Sequence, residues 1–274
     1  MPATPPLILL PPSEGKAPGG TTPPWEPGST THDGLDDRRL IVLRALAAAM
    51  RKPVASRAKL LGVKGVALAE ATAVDLTAAQ SPTMPAIDRY TGVLYDALDV
   101  TSLTPRSRRR LHDQVRILSG LWGVVAPDDL IPNYKLKMGA TIGRPGKLST
   151  WWRPAVTSAL APEVAGRVVW DLLPNEHRLA WAPPTDGPDA PCAVISVTFA
   201  DEVQRGETTE LVAVAHWNKL LKGALVRHVI EEQVSDPDTL ADFDHPLGYR
   251  YEPARTSVAG TLTRLTFVKP LVST

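Results

Sequence analysis

The chain of 274 residues has one cysteine, Cys192. A single thiol excludes an internal disulfide framework and fits a reducing compartment, so a cytoplasmic location is expected. Cys192 lies between Pro191 and an apolar run and reads as a buried structural thiol, with nothing nearby to stabilise a thiolate. No stretch reaches the roughly 18 apolar residues of a membrane-spanning helix. The apolar run at 7–10 is too short for a signal peptide and has no basic region before it. Six scattered histidines show no ligand spacing, so neither a metal site nor a cofactor is expected. No internal repeat and no long linker interrupt the chain, which predicts a single domain over 1–274 and a monomer.

Charge of one sign is also lacking overall, at a net +1, but it is unevenly spread. Five basic residues and no acid occur from Lys135 to Arg153, including Arg144 and Lys147. Six acids and no Lys or Arg occur from Glu231 to Asp244. Such asymmetry marks either a polyanion-binding face or ordinary solvated surfaces. The 43% apolar content supports a true core.

The segment 7–10 predicts a buried strand that empties into Ser13, Glu14 and Lys16. A Pro/Gly/Thr-rich loop expected to be flexible follows, over 17–31. It is not a P-loop, because the glycine spacing is wrong and no Gly-Lys-Ser/Thr opens a helix. Apolar spacing predicts a helix over 36–50. Two helical pieces flank Gly62, Lys64 and Gly65 over 55–73. This pattern is like a helix-hairpin-helix, whose turn presents backbone N–H groups to a phosphate, and equally like a glycine-capped helix followed by another. A helix over 85–100 carries Tyr90 and Tyr95, and a basic helix spans 105–112.

The most informative stretch is 115–139. A short strand breaks at Ser119 into an aromatic turn containing Trp122. An acidic Pro loop and Tyr134 follow, and then a strand carries Lys135 and Lys137. Small and polar groups where strands end are where sites usually sit; the bland alternative is a core plug with turning glycines. Beyond it, a helix over 148–160 opens with Ser149 as its cap. A strand at 168–170 delivers Glu176 and His177. Strands at 192–199 and 208–216 read as an antiparallel hairpin. A helix beginning near 217 sets Lys219 and Lys222 on one face.

The ordered set LLPPSEGK at 9–16, RYTGVLY at 89–95, LSGLWGVV at 118–125, DLIPNYKLKMG at 129–139, DLLPNEH at 171–177 and NKLLKG at 218–223 resembles the YaaA family of peroxide-stress proteins over nearly the whole chain. The chain departs from the family pattern at Trp122, Lys135, Lys137 and His177; Lys137 reverses a charge beside the candidate site. The resemblance implies a mixed α/β (α+β) fold of one domain, with a mixed sheet, surrounding helices and a helix-hairpin-helix-like element. It also implies a basic cleft, DNA binding and a role under hydrogen peroxide stress.

Two functions are then expected as alternatives. In the first, DNA is held largely through phosphates by Gly62, Lys64, Gly65, Arg144 and Lys147. In the second, an enzyme acts on a nucleobase, nucleoside or similar small molecule. Its candidate catalytic residues are Lys219 (a lysine of lowered basicity), Glu176 (acid or base), Tyr134, Ser119 and Lys16, with Ser13, Tyr90, Tyr95, Lys135 and Lys222 binding the ligand.

Overall fold

In the computed structural model the described residues are 4–206, 208–214, 218–243, 245 and 247–271. The strands among them are β1 Leu7–Leu10, β2 Thr83–Pro85, β3 Val115–Ser119, β4 Gly123–Val125, β5 Leu130–Pro132, β6 Thr141–Ile142 and β7 Gly146–Lys147. They continue with β8 Val168–Asp171, β9 Ala193–Arg205, β10 Thr208–Ala213, β11 Arg250–Tyr251, β12 Ser257–Ala259 and β13 Leu262–Lys269. The helices are α1 Asp36–Met50, α2 Val54–Leu61, α3 Gly65–Thr77, α4 Ala86–Arg89, α5 Val93–Leu98, α6 Pro105–Gln114, α7 Leu148–Val164, α8 Asn175–Arg178 and α9 Asn218–Glu232.

One mixed sheet runs β11-β13-β9-β8-β1-β3-β4, with β10 added on β9 and β12 on β13. The pairings β3/β1, β1/β8, β8/β9 and β9/β13 are parallel, while the outer strands β4, β10, β11 and β12 join antiparallel. All four residues of β1 are buried, as an unbroken apolar run inside a sheet covered on both faces requires. The chain runs from β1 to β3 on one side and later returns to β8 on the other. Open α/β sheets form their crevice at the carboxyl ends of strands where the order reverses in this way. Here those ends are Pro11–Lys16, Ser119–Gly120 and Leu172–Pro174.

The expected helix over 85–100 is two helices. Tyr90 is extended (φ −79°, ψ 130°), and Gly92, at φ +93°, starts the second. The break arises because the loop after β1 claims this backbone. Lys16 and Tyr90 form a β-bridge, Ala17 N–H donates to the Arg89 carbonyl (2.9 Å), and Thr91 N–H donates to Ser13 Oγ (3.0 Å). The segment 135–137, expected to be a strand, pairs with none, because the Lys135 N–H goes to the Asp75 carboxylate. Ser149 is not the cap of α7; Lys147 holds that position and Ser149 is buried in the first turn. Cys192 is exposed rather than buried, its Sγ donating to the Gly166 carbonyl at 3.1 Å. The hairpin of β9 and β10 forms, but β9 runs on past the expected end at 199 to Arg205, which pairs with Thr208, and β10 ends at Ala213; residues 207 and 215–217 lie outside the described set.

The segment 17–31 lacks helix and strand but is anchored at several points. Thr22 pairs with Thr83, Thr31 donates its N–H and hydroxyl to Asp129, and Trp25 lies edge-on against Trp122 at 5.1 Å. Trp122 is fully buried, so the plug reading of that side chain holds. Among the described residues no helix is long and apolar enough to cross a membrane.

Candidate functional site

The site assembles at the carboxyl ends of β1, β3 and β8. After β3, Gly120 lets the 136–137 backbone pass directly overhead, since a Cβ there would lie 2.8 Å from the Leu136 carbonyl oxygen. That approach draws Tyr134 under the end of β3. Its buried hydroxyl bonds Ser119 Oγ at 2.6 Å and Tyr90 Oη at 2.8 Å. Ser119 Oγ also accepts the N–H groups of Leu121 (3.3 Å) and Trp122 (3.2 Å), so the hydroxyl chain is pinned to the backbone. Burial pushes Tyr90 up to about 12 and raises Tyr134 and Tyr95 well above the usual phenol range. These phenols stay protonated and act as hydrogen-bond groups rather than bases. Tyr95 donates to the Pro11 carbonyl at 2.8 Å.

Lys16 lies on this aromatic floor. Its Nζ sits 4.2 Å from the centre of the Tyr134 ring and 5.5 Å from that of Tyr90, and donates to the Ser13 carbonyl at 3.0 Å. Burial lowers Lys16 to about 7, with Lys135 and Arg89 adding to the effect and Asp75 and Glu14 opposing it. Asp75, 1% exposed on α3, shows the reverse. Burial raises it to about 7 against the pull of the Lys135 N–H and of the Lys16 and Lys135 charges. Its Oδ1 accepts the Lys135 N–H at 2.7 Å, while Oδ2 is buried without a partner among the described residues. The fold thus sets a half-buried amine and a buried carboxyl, both pushed toward neutrality, in one cluster.

Two hollows flank this cluster. A hollow of about 230 Å³ is lined by Ser13, Glu14, Thr91, Tyr95 and Lys219. A larger cleft of about 670 Å³ is lined by Ser56, Lys59, Gly62, Lys137, Thr141 and Glu176. The Lys137–Glu14 ion pair (3.4 Å) stands between them. Burial works against ionisation of Glu14, but Lys137, Lys135 and Lys219 outweigh it and hold the carboxyl below its ordinary value. Glu176 sits tight against Gly139, where a Cβ would meet Oε2 at 2.7 Å. Beside it His177 is buried, and burial lowers it to about 4.

The structure therefore gathers Ser13, Lys16, Tyr90, Tyr95, Ser119, Tyr134, Lys135 and Lys219 around the β1 and β3 ends, with Glu176 across Lys137. Gly62 ends α2 in a left-handed conformation (φ +69°) and borders the larger cleft, with Lys64 and Gly65 exposed at the start of α3. Lys222 goes to the β8 end, donating to the Leu172 carbonyl at 3.0 Å, and burial lowers it to about 8. Arg144 lines a separate hollow with Arg44 and Lys52, and Lys147 caps α7, so neither joins the cleft. Sequence reasoning missed Asp75 and the fully buried Arg89, which donates to the Ile131 and Gly19 carbonyls. The signal for Asp75 was an acid set between Val74 and Leu76 in a largely apolar helix.

These features define a class: a single-domain mixed α/β protein with a lysine- and hydroxyl-lined crevice at the switch point of its sheet. Within that class, the family model described as peroxide stress protein YaaA matches residues 7–255. A UPF0246 protein of Streptomyces coelicolor is 34% identical over 258 residues, covering 93% of this chain and 95% of its own. One from Corynebacterium efficiens is 36% identical over 225 residues, covering 81% and 83%. The chain belongs to this YaaA (UPF0246) family, which is linked to peroxide stress.

Proposed function

We propose that the protein binds DNA through the larger cleft, largely without sequence preference, and acts in this way during the response to peroxide in the cytoplasm. The observation that carries the reading is the pair of exposed cations lining this cleft, Lys59 and Lys137, with the α2–α3 turn beside them. A Cβ on Gly62 would lie 3.8 Å from Lys137 Nζ, and Lys64 is exposed in the turn itself. The turn Gly62–Gly65 opens α3 with exposed backbone, the arrangement by which a helix-hairpin-helix receives a phosphate. Cations on flexible stems fit a phosphate backbone and carry no base code, so affinity would come from counterion release. With about five phosphate contacts, a fourfold rise in salt lowers the association constant by between two and three decades. Fluorescence anisotropy on a random duplex measures this, and a salt-independent signal would overturn the reading.

A second reading is supported by the buried cluster. A duplex-binding surface has no use for an enclosed Lys16, Asp75 and hydroxyl chain. An enzyme acting on a nucleobase, nucleoside or similar small polar molecule does.

A further inference from the structure

One face of the sheet carries a polar row outside the crevice. Strand register sets Ser196 of β9, Arg264 of β13 and Ser257 of β12 side by side. Asp171, next on β8 after the Trp170–Ile195 pair, adjoins Ser196. In-register neighbours share a face, so the four side chains stand in line across four strands. Beside them Val194, Leu262 and Ala259, also in register, form an apolar row on the same face. With Arg178 of α8, the two rows line a hollow of about 240 Å³.

The hollow is short of negative charge. Asp171 is buried and both its oxygens are engaged: Oδ1 accepts the Leu173 N–H at 3.0 Å, and Oδ2 the Arg178 Nε at 2.6 Å. Arg178 also gives Nη2 to the Leu173 carbonyl at 3.1 Å, which fixes its plane and leaves Nη1 as the remaining donor. Arg264 is exposed and makes no ion pair among the described residues. Two guanidinium groups and two hydroxyls therefore meet one carboxylate that is already bonded. Guanidinium forks match phosphate oxygens, and serine hydroxyls add neutral donors. The apolar row gives a sugar or base a surface to cover. Base-paired DNA does not fit a space of that size, so the phosphate it suits is a terminal one. The position is also telling. Glu176 lines the larger cleft, and Arg178, two residues on in α8, lines this hollow.

We propose that this hollow binds the terminal phosphate monoester of a nucleotide, held by Arg264, Arg178, Ser196 and Ser257, with the nucleoside over Val194, Leu262 and Ala259. The phosphate has two sources, a free mononucleotide or a 5′-phosphorylated DNA end. The second rests on the DNA reading above, since such an end would reach the hollow from the cleft past α8.

The test titrates the full chain with deoxyadenosine 5′-monophosphate by calorimetry. Anisotropy then compares short duplexes of one sequence ending in a 5′-phosphate or a 5′-hydroxyl, with closed circular DNA as an end-free competitor. Arg264 is the residue to change, because removing Arg178 would leave the buried Asp171 unpaired. The expected result is binding of the mononucleotide or of the phosphorylated end that Arg264→Gln weakens roughly tenfold or more. Ser257→Asp, which sets a like charge in the row, should abolish it. Neither variant should alter affinity for circular DNA. Mononucleotide binding with no preference between duplex ends assigns the free nucleotide. Preference for the phosphorylated end without mononucleotide binding assigns the DNA terminus, and both together assign the shared chemistry. Arg264-dependent mononucleotide binding by a chain that binds no DNA keeps this proposal and sinks the DNA reading. Circular DNA bound with neither mononucleotide binding nor end preference keeps the DNA reading and overturns this proposal. Binding that persists in both variants, or equal binding of deoxyadenosine, overturns it as well.

Discussion

Two aromatic clusters sit in different parts of the same molecule and do opposite things with their polar atoms. Under the ends of β1 and β3, Tyr90 and Tyr134 turn their hydroxyls to one another and to Ser119 and accept a lysine on their faces, while the Tyr95 ring packs on Tyr90 and its hydroxyl goes to the Pro11 carbonyl. Under β9 and β13, Phe199 stacks on Phe267 at 5.1 Å, with Tyr249, Tyr251 and Phe243 around them. There the hydroxyls leave the cluster: Tyr249 donates to Asp201 (2.6 Å) and Tyr251 bonds Thr256 (2.8 Å). The second arrangement gains apolar burial at little electrostatic cost. The first gives up part of that gain to keep titratable groups in a dry place. Stability and chemistry are thus expected to separate between the two clusters.

The largest expected effect is on the packing side. Phe267→Ala empties a fully buried ring position and should destabilise by about 3–5 kcal/mol in urea denaturation. Duplex affinity of the remaining folded protein should not change; a parallel loss would mean that the clusters are coupled.

Next comes the pH dependence of Lys16→Met. In the folded chain Lys16 gives up its proton near pH 7, while an unfolded chain keeps it to the ordinary 10.5. The unfolded state therefore binds more protons between those values, and wild-type stability should rise with pH across that window. The methionine variant should lose that rise, roughly 2–4 kcal/mol once partial exposure is allowed for. Asp75 has the opposite sign. Neutral in the fold up to about 7 and ionised in the unfolded chain above 3.8, it should make stability fall as pH climbs from 4 to 7. A wild-type curve flat from pH 7 to 10 would remove the energetic distinction between the clusters.

Lys137→Glu should then weaken duplex binding about tenfold and lower the salt slope by about one, because it removes one phosphate partner and places a negative charge in the cleft. Anisotropy at several salt concentrations reads both quantities. The smallest effect belongs to Tyr134→Phe, which should cost about 1 kcal/mol, since Ser119 Oγ keeps its two backbone donors. A loss several times larger would show that the hydroxyl chain holds the fold as well as the site.

Where local pattern and packing agree, the chain can be read directly. The helix at 36–50, the strand at 7–10 and the β9–β10 hairpin follow apolar spacing and turn residues alone. The readings fail where a distant segment takes a backbone group. Tyr90 leaves the helical path because the loop after β1 bonds it, and the Lys135 amide is claimed by an aspartate sixty residues earlier. No local period carries such information. The same holds for Asp75 and Arg89, charged residues whose burial depends on partners on other elements. For the lysines, sequence proximity of Lys219 and Lys222 suggested a perturbed pair on one face. The helix instead sends Lys222 to a carbonyl and leaves Lys219 exposed, and it is the solitary Lys16 that enters the dry cluster.

β1 lies inside the sheet, with β3 and β8 as its two neighbours. On the ribosome its four apolar residues emerge long before either neighbour has been translated, and a parallel partner cannot be supplied by a local turn. Such high contact order predicts slow closure and a nascent chain in which β1 stays sticky until β8 has been made. Chaperone dependence during synthesis, and aggregation of fragments that end before β8, are the cellular cost of placing the crevice beside a strand whose partners are translated so much later.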